Sequence, residues 1–289
     1  MQFLFNFKYF LSRENLLMKT TVIFVILLLF LGCGKKIPTQ VQRLHVVQNI
    51  AMKNSLRQET FKTSTFDIFT YKNFSTCKDV MSIYIEGDGL AWITSSRISS
   101  DPTPLNPISL KLMVKDDSTC KIYLARPCQY TNNSTCKEKY WTSHRFSKEV
   151  LQSYIEVLNK LKKEYKIDGF KLYGYSGGGA IATLLSAHRN DVKKLVTIAG
   201  NLDIAYWAKK HYITPLKGSL NPADFTEELT KVKQLHLIGK NDKIVDKSIY
   251  ASYVRDFKDT SNIEHKLYKN FTHSCCWAKE WTNILKEIN

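Results

Sequence analysis

The spacing of apolar residues along this chain changes period again and again, and each change marks an element. FDIFTY (66–71) and VMSIYIE (80–86) are short runs rich in aromatic and β-branched residues and predict strands. NPISLKLMVKD (106–116) predicts a helix with proline near its start, and KIYLAR (121–126) predicts the next strand. Ser147 then caps KEVLQSYIEVLNKLKKEY (148–165), whose apolar positions 150, 151, 154, 155, 158 and 161 line one helical face. Downstream come strand FKLYGY (170–175), helix GAIATLLSAHR (179–189) and strands KLVTIAG (194–200) and QLHLIGK (234–240). A helix over 246–257, strand EHKLYKN (264–270) and helix CWAKEWTNILKEI (276–288) close the series. Ahead of it, Val41, Leu44, Val47, Ile50 and Ala51 fall at helical spacing and predict a helix over 41–54.

Strands that alternate with helices need crossover connections, so the pattern predicts an α/β fold: a mainly parallel sheet with helices on both faces. No internal repeat, coiled coil or low-complexity tract interrupts it. Two longer loops do, over 127–147 and 201–222, and each follows the C-terminal end of a strand. That is the edge at which such sheets place their ligand sites.

With 289 residues, 44% of them hydrophobic, the chain can bury one large core. One apolar block stands apart from the alternation. TVIFVILLLFLG (21–32) is too short to span a bilayer but suits the core of a secretory signal. It runs into Cys33, and LFLGC resembles a bacterial lipoprotein signal. The resemblance implies that Cys33 is lipidated and becomes the mature N-terminus, so that a lipid anchor holds the exported chain at an envelope membrane. Met18-Lys19 opens a signal of ordinary length and offers an alternative start; an uncleaved signal anchor is the other reading of the block. The expected organisation is therefore a signal peptide (1–32), a tether with an N-terminal helix (33–58), and a main domain (59–289) with a short insertion near 201–222.

The formal net charge of +16 raises the question of a polyanionic partner. The lysines are scattered, however, and no arginine-rich stripe interleaves with aromatics, so together with export the pattern argues against nucleic acid. Apart from Cys33, the cysteines are Cys77, Cys120, Cys128, Cys136, Cys275 and Cys276, an even number that suggests disulfides in an exported chain. Cys128 and Cys136 flank the polar loop QYTNNST and are placed to close it. Adjacent cysteines rarely bond each other, so one of Cys275 and Cys276 is expected to reach back to a loop cysteine. No Cys-x-x-Cys pair or histidine cluster has metal-ligand spacing, so neither a metal nor a cofactor is expected.

The chemistry centres on GYSGGG (174–179), which directly follows a predicted strand and opens a predicted helix. A serine hydroxyl is a poor nucleophile until a base takes its proton. A tight strand-to-helix turn would lift Ser176 above the sheet, and the flanking glycines would relieve the strained backbone and the close strand–helix approach. The alternative is a glycine bend with an idle serine. In context, residues 60–289 resemble the α/β-hydrolase family, whose triad follows the order serine, acid, histidine. QLHLIGKNDKIVD matches the family's Gly-x-x-Asp-x-x-Val turn at Asp242, which the resemblance makes the acid. Asp203, in AGNLD, is a second candidate, and Asp246 reads as the start of the next helix.

Among the seven histidines, His273 alone falls between the last strand and the final helix, where the family keeps its base. His236 and His265 lie inside predicted strands, and His188 ends the helix after the serine. An oxyanion hole needs two backbone donors. The resemblance implies Gly177 for one and the loop after an early strand for the other, with Asp88 or Gly89 as the donor. Family members often carry His-Gly there; this chain has Glu86-Gly87-Asp88-Gly89. Asp88 would contribute only its amide, or else recognise a cationic or hydroxyl group on a substrate.

The resemblance thus implies a serine hydrolase that cleaves an ester or related acyl bond of a small-molecule substrate through an acyl-enzyme. A peptidase or acyltransferase of the same fold, and a binding lipoprotein without catalysis, remain as alternatives. Tyr206, Trp207 and Tyr212 in the 201–222 insertion are candidates for part of a cap over the site, or for packing that loop onto the sheet. Oligomeric state is not legible.

Overall fold

The computed structural model describes residues 37–74 and 76–288, and all of the elements belong to one compact unit, Thr39–Asn289. The expected signal and the Cys33 lipidation site lie outside the described residues. Among those described, no helix is long and apolar enough to cross a membrane.

An eight-stranded sheet organises the unit. Its strands are β1 (Arg57–Lys62), β2 (Asp67–Lys72), β3 (Val80–Ile85), β4 (Lys121–Leu124), β5 (Gly169–Tyr175), β6 (Val192–Ile198), β7 (Gln234–Gly239) and β8 (Ile263–Tyr268). Their order is β1-β2-β4-β3-β5-β6-β7-β8; β2 pairs antiparallel with both β1 and β4, and all remaining pairs are parallel. The chain moves outward from β3 to β4, then crosses back over β3 to β5. That reversal opens a crevice above the carboxyl ends of β3 and β5.

Successive strand residues face opposite sides, so each strand feeds two cores. Ile83, Ile85, Ile122, Leu124 and Leu172 belong to one; Tyr84, Tyr123, Tyr173 and Tyr175 belong to the other. Helices α1 (Gln40–Lys53), α2 (Ile108–Met113) and α8 (Trp277–Ile288) cover the tyrosine face. There Tyr84 and Tyr173 stack 4.6 Å apart and Trp281 meets both edge-on. Helices α3 (Lys148–Tyr165), α4 (Gly177–Ala187), α6 (Thr226–Leu229) and α7 (Lys247–Val254) cover the other face. The remaining helix, α5 (Ile204–Lys210), lies within the 201–222 insertion.

Several bounds differ from the sequence expectation. The 106–116 helix shortens to α2, because Pro107 precedes it and its turns stop at Met113. Strand β1 is an addition: its exposed, charged pattern RQETFK gives no clean alternation because it is an edge strand. Helix α1 buries Val47 and Ala51 against the tyrosine face, and its Arg43 pairs with Asp101, so it shares the core of the sheet.

The disulfides also correct one expectation. Cys128–Cys136 closes the QYTNNST loop, but Cys275 and Cys276 bond each other. Cys77 and Cys120 sit 5.3 Å apart at Cα and pair, which leaves no loop cysteine free to reach the C-terminal pair. Cys276 takes a left-handed φ of 84°, a turn that allows adjacent thiols to meet.

Candidate active site

Strand β5 delivers Ser176 to the crevice. Ser176 itself is left-handed, with φ 52° and ψ −119°, and its N–H donates to Ile198 O while its own carbonyl accepts from Gly179 and Asn201. The serine, not a glycine, therefore carries the strained backbone. The glycines provide room instead. A Cβ on Gly174 would stand 2.3 Å from Gly178 O, and one on Gly178 would stand 2.3 Å from Ile85 O. Strand β5, helix α4 and strand β3 approach too closely there for any side chain.

The His273 ring reaches Ser176 from the loop after β8. Nε2 lies 2.9 Å from Ser176 Oγ, and Nδ1 lies 2.9 Å from Asp242 Oδ2. Asp242 is wholly buried at its side chain, and its Oδ1 accepts the N–H groups of Ile244 and Val245, which fix the carboxylate after β7. With Oδ2 facing the imidazole, that arrangement favours the tautomer that keeps hydrogen on Nδ1 and a lone pair toward Ser176. Tyr175 Oη and Trp277 Nε1 both donate to His273 O at 3.1 Å and hold the histidine loop against the sheet.

The other acid and base candidates are engaged elsewhere. Asp203 caps α5 through Tyr206 N and accepts the Ser252 hydroxyl. Asp246 caps α7. His188 ends α4 with Nδ1 on Leu184 O, and buried His236 bonds Thr197. Burial, aided by nearby His265, pushes His236 down to a pKa of about 3, so it stays neutral. His265 lies tilted against Tyr250, with 4.6 Å between ring centres.

The loop after β3 lies against the serine: a Cβ on Gly87 would be 3.4 Å from Ser176 Cβ. Glu86, Gly87, Asp88, Gly89, Ser176 and His273 line one small pocket of about 280 Å³. The amides of Gly177, Asp88 and Gly89 have no hydrogen-bond acceptor among the described residues, so they remain available to a ligand.

Two features of this loop escape sequence reasoning. Asp88 does not offer its carboxylate to a ligand, contrary to one expectation. Oδ1 takes Arg126 Nη1 and Oδ2 takes Arg145 Nη1, each at 2.8 Å. Burial opposes its ionisation, but Arg145 and Arg126 outweigh burial and hold the carboxyl below its usual range. Glu86 is buried and turns Oε1 onto the N–H groups of Gly87 and Ser109. Burial raises its pKa from 4.5 to about 7 against the opposing pull of those amides.

A larger groove of about 790 Å³ adjoins the site. Trp92, Trp207, Ile213, Leu216 and Ile244 form its apolar walls, and the buried Arg145 is part of its lining. The 201–222 insertion contributes one wall through Trp207, which also packs against the core and donates Nε1 to Ile244 O, while Tyr212 stands almost fully exposed at the rim. Among the described residues, no group of His, Cys, Asp and Glu is placed to hold a metal ion.

Residues 142–254, which include Ser176 and Asp242, match a protein family described as alpha/beta hydrolase of unknown function (DUF915). No curated protein matches the sequence. Among solved structures, the chain is similar to the esterase Pf2001 of Pyrococcus furiosus, at 12% identity and a TM-score of 0.58 over 82% of this chain and 93% of that one. It is also similar to an alpha-beta serine hydrolase homologue from Coxiella burnetii, at 13% identity and a TM-score of 0.57 over 80% and 95%. Est1E from Butyrivibrio proteoclasticus matches at 14% identity and a TM-score of 0.54 over 80% and 96%. The chain has the α/β-hydrolase fold.

Proposed function

We propose that this α/β-hydrolase-fold protein is a serine hydrolase that cleaves an ester bond through an acyl-enzyme, with Ser176 as nucleophile, His273 as base and Asp242 as its orienting acid. The observation that carries the proposal is the continuous hydrogen-bonded line from Ser176 Oγ through His273 to the buried Asp242. As Oγ attacks the carbonyl, its proton passes to His273 Nε2, and the imidazolium is stabilised by Asp242 across Nδ1–H. Negative charge then develops on the carbonyl oxygen, where the Gly177 amide and one from the Asp88–Gly89 loop would receive it. His273 returns the proton to the leaving alkoxide oxygen, the carbon–oxygen bond breaks, and an acyl group stays on Ser176. Water, activated by the same histidine, releases the acid and restores the hydroxyl.

An ester is preferred to an amide because one of the similar solved structures, Pf2001, is described as an esterase, a likeness of fold that supports the class without fixing the substrate. A fluorophosphonate probe should label the wild type, and Ser176→Ala should abolish labelling while the protein stays folded. Equal labelling of that variant would sink the assignment. Export and lipid anchoring at Cys33 belong to the same proposal and rest on the sequence LFLGC alone. Labelled fatty acid should be incorporated by the wild type and not by Cys33→Ser; a wild type that takes up no label refutes the anchor.

A further inference from the structure

We propose that the groove between Trp92 and Trp207 is the subsite for a bulky apolar part of the substrate that carries an anionic group, with Arg145 receiving the charge. The inference rests on the serine-hydrolase reading for its role in turnover, but the binding itself can be measured without it. The groove holds about 790 Å³, within the range that a drug-sized ligand fills. Trp92, Tyr212, Ile213 and Ile244 leave 40%, 98%, 39% and 50% of their surface exposed, and all four line this one groove. Large apolar side chains gathered on one concave surface mark a ligand or partner site.

Charge decides the occupant. The cationic groups Arg145 and Lys243 and the imidazole of His211 line the groove, and no carboxylate does. Arg145 shares the single carboxylate of Asp88 with Arg126, so the three groups together carry one net positive charge. Arg145 directs Nη1 to Asp88 and Nε to Thr142 O, and its Nη2 has no acceptor among the described residues. That nitrogen is a charge-assisted donor available to a carboxylate or phosphate. The guanidinium also lies 5.9 Å from the Trp207 ring centre, so an aromatic or branched alkyl body would sit against the same surface.

The groove also lies beside the reactive serine. Asp88 lines the small pocket over Ser176, Arg145 lines the groove, and their 2.8 Å ion pair joins the two linings. Ile244, on the groove wall, donates its amide to Asp242. A substrate spanning both would place its ester at Ser176 and its anionic apolar part beyond the ion pair.

The test uses 2-naphthoate and its neutral counterpart 2-naphthamide, titrated into Ser176→Ala protein while tryptophan fluorescence is followed. Naphthoate should bind about tenfold more tightly than the amide, the change expected from one charge-assisted hydrogen bond. Arg145→Gln should erase the preference, and Trp207→Ala should weaken both ligands. Should Arg145→Gln fail to fold, Lys243→Gln on the exposed rim should still reduce the preference measurably. Equal affinity for acid and amide, or a preference that survives both Arg145→Gln and Lys243→Gln, overturns the proposal. So does a stable dimer that must dissociate before naphthoate binds, since a second copy would then own the groove. Naphthoate selectivity without any fluorophosphonate labelling of the wild type would keep the subsite and discard the serine-hydrolase reading; labelling without selectivity would do the reverse.

Discussion

Replacing Glu86 by glutamine should expose a slope in the pH dependence of stability that the wild type conceals. Glu86 is buried, with Oε1 on the amides of Gly87 and Ser109 and the Tyr123 hydroxyl alongside. Its pKa rises from 4.5 to about 7 on folding, mainly through burial. Between those values the folded state holds a proton that the unfolded chain has released, so stability falls as pH rises through the window. The full span is worth about 3 kcal/mol, of which about 2.5 kcal/mol falls between roughly pH 5 and 8.

His236 acts in the opposite direction. Burial lowers its pKa from 6.5 to about 3, so below the upper value the unfolded chain takes up a proton that the fold refuses. Stability therefore rises with pH up to about 6.5, by about 2 kcal/mol from roughly pH 5 upward. The two slopes nearly cancel in the wild type. Glu86→Gln keeps the acceptor toward Gly87 and Ser109 but cannot ionise, so only the rising limb remains. Urea denaturation at several pH values should give curves that coincide near pH 5 and diverge by about 2.5 kcal/mol near pH 8, with the variant more stable. Parallel curves for the two proteins would refute the raised pKa and the burial behind it.

Under the proposed chemistry, Asp242→Asn should lower kcat on a 4-nitrophenyl ester by about 10³–10⁴-fold with an unchanged melting temperature, because the amide favours the wrong histidine tautomer. A loss below tenfold would return the acid role to another residue. Ser176→Gly should be more stable than Ser176→Ala by about 1 kcal/mol, since both remove the hydroxyl but only glycine relieves the left-handed backbone. If the glycine variant is the less stable one by urea denaturation, the serine carries no strain. Cys77 and Cys120 lie 43 residues apart and Cys128 and Cys136 only 8, so the Cys77→Ser/Cys120→Ser double variant should lose more stability. Loop entropy puts the losses at about 4 and about 2.5 kcal/mol, and a reversed order in chemical denaturation would refute that account.

Legibility in the sequence follows how strongly local chemistry fixes each piece. Helix α3 is readable to the residue because Ser147 accepts from Val150 N and the apolar stripe repeats over five turns. The parallel strands β5 and β7 are readable because both of their faces are buried, and β6 because its second half, Leu195–Ile198, is buried too. Strand β1 is not, since an edge strand with polar residues on both faces resembles a loop. Ser176, Asp242 and His273 were approachable from the sequence because each follows the carboxyl end of a strand in a fixed order, and the fold converts that order into proximity. Arg126 and Arg145 carry no such mark. Their common target, Asp88, lies 38 and 57 residues away, and only the crossover from β4 to β5 brings the three together. The one local hint is that both arginines flank the loop after β4, on the ligand-binding edge of the sheet.

That pair of arginines also resolves an apparent contradiction in the Glu86-Gly87-Asp88-Gly89 loop. Asp88 Oδ1 lies only 2.1 Å from the place a Gly177 Cβ would occupy, so its charge abuts the amide proposed to receive an oxyanion. A lone carboxylate there would oppose the transition state, by several kcal/mol at short range in a partly desolvated site. With two guanidiniums bound to it, the local charge reverses sign, and the carboxylate becomes a brace that holds the loop over Ser176. Gly177 is then needed for a second reason besides the elbow: any side chain would collide with the braced acid. The loop is thus held at two points, by Glu86 accepting the Gly87 amide and by Asp88 bound to Arg126 and Arg145. The Arg126–Asp88–Arg145 cluster thus sets one net positive charge between the Gly177 amide and the groove that Arg145 lines, and Glu86, which ionises near pH 7, opposes it only above that pH.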